Sequence, residues 1–189
     1  MLLASFFVSF LTAALVAPLV IRWYREHNWL DDPATHTHAK VVHDRPVPRG
    51  GGLVVLAGLM VGALIFLQWD QYLIAIMLGA VLIAVVGWLD DLYDLHPGIR
   101  LVTGSVAALI VILSGIGIGY VSNPFGEGVI HLDIWQWQYW FLGQPRSIWI
   151  LADLFALFFI LWNMNIVNWS KGVDGQLPAF VSISFLFVS

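Results

Sequence analysis

Residues 72–94 read YLIAIMLGAVLIAVVGWLDDLYD, and the fold is decided here: the run Tyr72–Leu89 carries no charge, then Asp90, Asp91 and Asp94 follow at once. A helix needs about 20 predominantly apolar residues to cross roughly 30 Å of hydrocarbon. The stretch therefore predicts a transmembrane helix that ends in carboxylates. Outward from it lie four more apolar runs, Leu2–Ile21, Gly52–Leu67, Leu101–Tyr120 and Ile148–Val167. The second is short and has glycines and Trp69 at its boundaries. A sixth run, Leu177–Val188, is followed only by Ser189. The expected fold class is all-α: a polytopic transmembrane helical bundle of about five complete spans plus a truncated sixth.

Composition supports this and excludes other classes. Hydrophobic residues make up 60% and charged residues 11% of the 189, where a soluble domain carries about a quarter charged residues. The ten Trp suit a protein with many membrane–water interfaces. Trp23, Trp69, Trp88 and Trp149 fall at predicted span ends, as an aromatic belt requires. A net charge of −4 without a basic tail argues against a nucleic-acid partner. The absence of Cys rules out disulfides and thiolate metal sites. The first charges, Arg22 and Arg25, follow the first apolar run rather than precede it, so that run is read as a retained span and not a cleavable signal.

Orientation follows from the loops. Arg22, Arg25, Lys40, Arg45, Arg49, Arg100 and Lys171 fall in loops on one side, and only Arg146 on the other. The positive-inside rule then places the N-terminus outside and the charged loops in the cytoplasm, in a multi-pass protein of the inner (plasma) membrane. In the outer loop 121–147, the alternation of Ile134 to Tyr139 predicts a short strand or interfacial segment.

Three motifs share the cytoplasmic side. In the first, His43-Asp44-Arg45-Pro46-Val47-Pro48-Arg49-Gly50-Gly51-Gly52, prolines keep the approach extended and glycines let backbone come close to a ligand. The N-terminal end of the following span, with Arg45 and Arg49, suits a diphosphate. A basic juxtamembrane loop that only contacts anionic headgroups is the competing reading. In the second motif, Asp90, Asp91 and Asp94 lie at a helix C-terminus, where a carboxylate is disfavoured by about 0.3–1 kcal/mol. A Mg²⁺ ion would reverse that balance, because it takes hard oxygen ligands and bridges them to phosphates. If the helix continues, Asp90 and Asp94 share a face while Asp91 turns away. Two carboxylates would then hold metal while another orients or deprotonates a nucleophile. The competing reading is a solvated acidic helix end. The third motif runs from Asn163 to Gly175 and contains Asn165, Asn168, Lys171, Gly172 and Asp174. Amides are costly in lipid and so face protein or a wet cleft, where Asn offers the paired donor and acceptor that a base or sugar edge needs. His36 and His38 read as solvated loop residues, His96 as a turn residue, and Asp153 as an interfacial or interhelical polar contact.

Taken in this order on one face, the motifs resemble those of the polyprenyl-phosphate N-acetylhexosamine-1-phosphate transferases (glycosyltransferase family 4), a family that includes the phospho-N-acetylmuramoyl-pentapeptide transferases. The family's His…Pro-Arg-Gly-Gly loop maps onto His43 to Gly52, in a form closer to the hexosamine branch. Its Asp-Asp pair maps onto Asp90 and Asp91. Its Asn-rich loop maps onto Asn165, Asn168, Lys171, Gly172, Asp174 and Gly175, with Lys171 where the pattern usually has Asp. The resemblance implies transfer of N-acetylhexosamine 1-phosphate from a UDP-sugar to a polyprenyl (undecaprenyl) phosphate with release of UMP, the initiating step of a cell-envelope glycan. It makes Asp90 and Asp91 catalytic, with Asp90 as base or phosphate-orienting group. Asp91 and Asp94 become metal ligands for Mg²⁺, with Mn²⁺ as the alternative. His43, Arg45 and Arg49 would then contact phosphates, and Asn165, Asn168, Lys171 and Asp174 the nucleotide sugar. The implied partners are the UDP-N-acetylhexosamine, the polyprenyl phosphate, the membrane, and a second copy of the chain in a homodimer.

Two rival readings stand beside this one. Asp90-Asp91-Leu92-Tyr93-Asp94 also fits the Asp-Asp-x-x-Asp pattern of intramembrane prenyltransferases, although no second Asp-rich motif accompanies it. A transporter would carry its polar residues near the bilayer midplane and not at the boundary. The short sixth run, about 18 Å as a helix, leads to the expectation that residues 1–189 form one integral-membrane transferase domain that is the N-terminal part of a longer enzyme.

Overall fold

The computed structural model describes residues 2–31, 46–141, 144–169 and residue 183. The described chain is mostly helical, with α1 (Leu2–Glu26), α2 (Gly51–Phe66), α3 (Gln71–Tyr93), α4 (Pro97–Leu113) and α5 (Ile150–Trp169). Three helices, Leu3–Glu26, Gln71–Tyr93 and Ile150–Val167, are long and apolar enough to cross a membrane. α2 and α4 are apolar but shorter, at 16 and 17 residues, or roughly 24–26 Å at 1.5 Å per residue.

The helix limits have local causes. α1 runs past Ile21 to Glu26, its last turns held by the buried Tyr24, whose ring lies against Gly50; the exposed Arg22–Glu26 pair, 2.7 Å apart, adds little. Asp70 caps α3 by accepting from the Leu73 N–H at 2.8 Å, so only a short extended link follows α2. At its far end α3 continues through Asp90 and Asp91 to Tyr93. Asp94 then adopts a left-handed conformation (φ 48°, ψ 63°) and donates its N–H to the Asp90 carbonyl at 2.9 Å. The helix therefore stops before Asp94 could share a face with Asp90. α4 begins at Pro97, four residues before the predicted span, with His96 as its cap: His96 Nδ1 accepts from Gly98 N–H at 3.1 Å. It ends at Leu113, well before Tyr120, because Gly115 takes φ 107° and turns the chain away.

The all-α expectation needs one correction. Three two-stranded antiparallel sheets accompany the helices. β1 (Leu30–Asp31) pairs with β2 (Val47–Pro48), and β3 (Tyr120–Ser122) with β4 (Val129–His131). β5 (Gln136–Phe141) pairs with β6 (Gln144–Trp149), Gln136 opposite Trp149. The alternation near Ile134–Tyr139 thus belongs to a hairpin. The sixth apolar run lies outside the described residues apart from Ile183.

Small residues bring the helices together. A Cβ on Gly58 would lie 2.8 Å from the Ser9 carbonyl oxygen and 3.4 Å from Ala13 Cβ, and Gly62 meets Ser9 one turn later. Gly79 faces the Ala107 carbonyl of α4, and Gly104 faces Met164 and Leu161 of α5. Ala63, Ala75, Ala107, Ala108, Ala152 and Ala156 are buried, whereas Phe6, Leu15, Leu78 and Phe158 are exposed. This is the inverse of a soluble core. Small residues allow close backbone approach inside, and large apolar side chains face outward where lipid tails solvate them. The protein is a membrane-embedded helical bundle.

Candidate active site

α1 and α3 end, and α2 and α4 begin, at the same end of the bundle, and cross-helix contacts fix this. On α3, Asp90 Oδ2 accepts from Arg100 Nη1 of α4 at 3.0 Å. The next carboxylate, Asp91, receives the Tyr24 hydroxyl of α1 on Oδ2 at 3.3 Å. The Tyr24 ring in turn lies against Gly50, where a Cβ would come within 2.7 and 2.9 Å of ring carbons. Only glycine fits there, so the Pro-Arg-Gly turn closes onto α1 and starts α2.

Arg49 leaves this turn to pair with Asp31 at 2.7 Å. The β1–β2 ladder sets that pair up by placing Asp31 opposite Val47. The loop between the first two spans is thereby closed by a strand pair and an ion pair. An aromatic group covers the same end: Trp23 stacks on Trp88 with centroids 5.9 Å apart, and Trp29 meets Trp23, Tyr24 and His27. These rings tie the end of α1 to the last turns of α3.

A cleft of about 450 Å³ lies between α3, α4 and α5; Asp90 and Asp91 do not line it, but Arg100, the partner of Asp90, does. Its walls are apolar (Ile83, Val86, Leu101, Leu161), with Arg100 and Asn165 among its polar lining residues. Asn165 donates Nδ2 to the Leu161 carbonyl at 2.8 Å, which fixes the amide against its own helix.

The donor chemistry fits a hard cation. The Asp90 side chain is 18% exposed and its Oδ1 atom is buried without a hydrogen-bond partner. A buried carboxylate oxygen left in this state is costly unless another group meets it. Among the described residues no three His, Cys, Asp or Glu converge on one point. Mg²⁺ does not require that, since it commonly takes one or two carboxylates together with phosphate and water oxygens.

Of the residues singled out in the sequence, Asp90, Asp91, Arg49 and Asn165 therefore come to one end of the bundle, Arg49 in a separate ion pair. Asp94 is exposed at the cap beyond the helix. His43, Arg45, Lys171 and Asp174, and the side chain of Asn168, lie outside the described residues. Sequence reasoning missed Tyr24 and used Arg100 only for orientation. A signal for Arg100 existed: a three-residue link between α3 and α4 (94–96) returns the chain directly to Asp90. None existed for Tyr24, whose partner is 67 residues away.

The family model for glycosyl transferase family 4 matches residues 73–189. The chain belongs to this family. It is 30% identical over 183 residues to the "Probable undecaprenyl-phosphate N-acetylglucosaminyl 1-phosphate transferase" of Bacillus subtilis strain 168, covering 96% of this chain and 45% of that one. It is 25% identical over 192 residues to the phospho-N-acetylmuramoyl-pentapeptide-transferase of Thermodesulfovibrio yellowstonii, covering 97% and 50%. The chain thus spans about half the length of these curated family 4 relatives. No solved structure matches. In family 4 terms, the matched segment begins in α3 and includes the Asp90–Asp91 pair, the cleft and the Asn-rich stretch, while the Pro-Arg-Gly turn precedes it.

Proposed function

We propose that the complete protein transfers N-acetylhexosamine 1-phosphate from a UDP-sugar to polyprenyl phosphate at the cytoplasmic face of the plasma membrane. The observation that carries this reading is the Asp90–Asp91 pair. Two adjacent carboxylates lie at a helix C-terminus, which by itself disfavours them, and each is held by a side chain from a different helix. Membership in family 4 and the activities for which both relatives are named favour this reaction over the prenyltransferase and transporter readings. The 30% relative named for N-acetylglucosamine makes UDP-N-acetylglucosamine the first donor to test.

In the proposed reaction an oxygen of the polyprenyl phosphate attacks the β-phosphorus of the UDP-sugar. The bond from that phosphorus to the bridging oxygen breaks, UMP leaves with the electron pair, and a lipid diphosphate-linked sugar forms. Asp90, held by Arg100, orients the attacking phosphate or accepts its proton. Arg100 offsets negative charge at the mouth of the apolar cleft, and Asn165 lines the same cleft. Asp90 and Asp91 would hold a Mg²⁺ ion together with phosphate and water oxygens; Mn²⁺ has similar oxygen chemistry. When bound, the ion neutralises the diphosphate and the leaving UMP. The Arg49 turn, with His43 and Arg45, is assigned to phosphate, and Asn168, Lys171 and Asp174 to the nucleotide sugar. Residues 1–189 are proposed to supply one part of this site within a longer domain.

Membranes containing the complete enzyme, given radiolabelled UDP-N-acetylglucosamine, polyprenyl phosphate and Mg²⁺, should convert label into a solvent-extractable lipid and release UMP. Failure to form lipid-linked product with any UDP-N-acetylhexosamine would refute the assignment.

A further inference from the structure

We propose that Tyr24 is a positioning residue for the reaction, its hydroxyl setting the orientation of Asp91; this rests on the transferase reading above. Tyr24 is the largest fully buried side chain among the described residues, at 0% exposure. Burying a phenol costs free energy unless its hydroxyl finds a partner. Here the hydroxyl meets Asp91 Oδ2, on a helix 67 residues further along the chain.

The ring is fixed from several sides. Gly50 leaves no room for a Cβ beside it, and a Cβ there would also lie 2.6 Å from Val20 Cγ1. Trp23 and Trp29 contact the ring edge-on at 5.8 and 5.7 Å. The backbone carbonyl of Tyr24 accepts from the Trp29 N–H at 2.9 Å, closing the turn that leads to β1. One side chain therefore joins the end of α1, the Pro-Arg-Gly turn and a carboxylate of the candidate site. A ring so confined holds its hydroxyl at a fixed point, and a donor at a fixed point selects the rotamer of the carboxylate it meets. At 3.3 Å the bond is long for an O–H donor, for which about 2.7–2.8 Å is usual. The expected effect is therefore modest beside that of losing Asp91 itself.

A buried plug and a positioning residue predict different kinetics. In the complete enzyme, Tyr24→Phe keeps the ring and removes only the hydroxyl. Its kcat should fall about tenfold, with the KM for UDP-sugar within about twofold and the melting temperature in detergent within about 2 °C of the parent. In the Asp91→Asn background the same change should have no further effect, because the two side chains act as a unit. An unchanged kcat, a tenfold loss repeated in the Asp91→Asn background, or a melting temperature that falls together with kcat would each overturn the inference. Should Tyr24→Phe fail to accumulate in membranes, 4-aminophenylalanine and 4-fluorophenylalanine at this position provide the same contrast. The first retains a donor and should keep kcat within about threefold, and the second should show the tenfold loss; equal rates would overturn the inference. If Asp91→Asn is itself fully active, it is the transferase site that fails, and the Tyr24 result separates the two cases.

Discussion

Both ends of the bundle carry a cleft and acidic residues, but the acids are held in different ways and line the cleft at only one of the two ends. At the end formed by Glu26, Gly51, Tyr93 and Pro97, the acids are bonded across helices: Asp90 to Arg100 and Asp91 to Tyr24. At the opposite end a cleft of about 410 Å³ is lined by Gly115, Gly117, Gly119, Asp133 and Asp153. There Asp153 accepts at 3.1 Å from the N–H of Trp149, the residue just before its own helix, and Asp133 pairs with the nearby His131 at 3.3 Å. A carboxylate near a helix N-terminus satisfies free N–H groups and is stabilised by the dipole. Asp153 is therefore explained by local structure. Asp90 and Asp91 stand at the unfavourable helix end, are supported by residues of other helices, and leave one buried oxygen of Asp90 without a partner. Similar composition and cleft size thus conceal one end whose acids are held locally and one whose acids are held across helices.

The largest contrast should be in access. Residues 1–189 contain no Cys, so reporters placed in them have no competing thiol within this stretch: Leu92→Cys should be protected from an impermeant thiol reagent in intact cells, and Ser122→Cys should label fully. The opposite pattern would reverse the orientation and put the Asp90 end outside, away from cytoplasmic nucleotide sugar.

Next in size is the contact between α3 and α4. Arg100→Ala leaves Asp90 without its cation, and breaking one partner of a partly buried pair usually costs more than an exposed pair contributes. In the complete enzyme kcat/KM should fall some 10–100-fold, while Arg100→Lys, keeping charge but losing the planar fork, should recover part of it. Equal activity of Arg100→Ala and parent would mean that the ion pair is incidental to the site.

The smallest effect belongs to the other end. Asp70→Ala removes the α3 cap and should lower stability by about 1 kcal/mol, read as a lower melting temperature in detergent with kcat unchanged. A large loss of kcat at constant stability would show that the two ends are not independent.

Much of this division is legible in the amino-acid sequence. The apolar runs mark all five described helices, and the acids after Leu89 mark the candidate site. What they miss is local or long-range. Gly115 ends α4 early through a positive φ that composition does not reveal. Arg22 and Glu26, polar residues that suggest a loop, instead lie in the last turns of α1, which the buried Tyr24 holds in place. Asp94 has the spacing to continue the Asp90 face, but its left-handed backbone ends the helix. Gly50 is legible as permissive, yet its actual neighbour, Tyr24, is not, since nothing local links residue 24 to residues 50 and 91. Arg49 reads as a phosphate ligand, and its ion pair with Asp31 emerges only once β1 and β2 are paired.

The most direct measurement compares the carboxylates of the two ends in one assay. UMP release by the complete enzyme, with UDP-N-acetylglucosamine, polyprenyl phosphate and Mg²⁺, should fall at least about 100-fold in Asp90→Asn and in Asp91→Asn. It should stay within about threefold of the parent in Asp133→Asn and in Asp153→Asn, all four accumulating equally in membranes. Near-parental rates in both Asp90→Asn and Asp91→Asn, or equal losses at the two ends, would contradict the account.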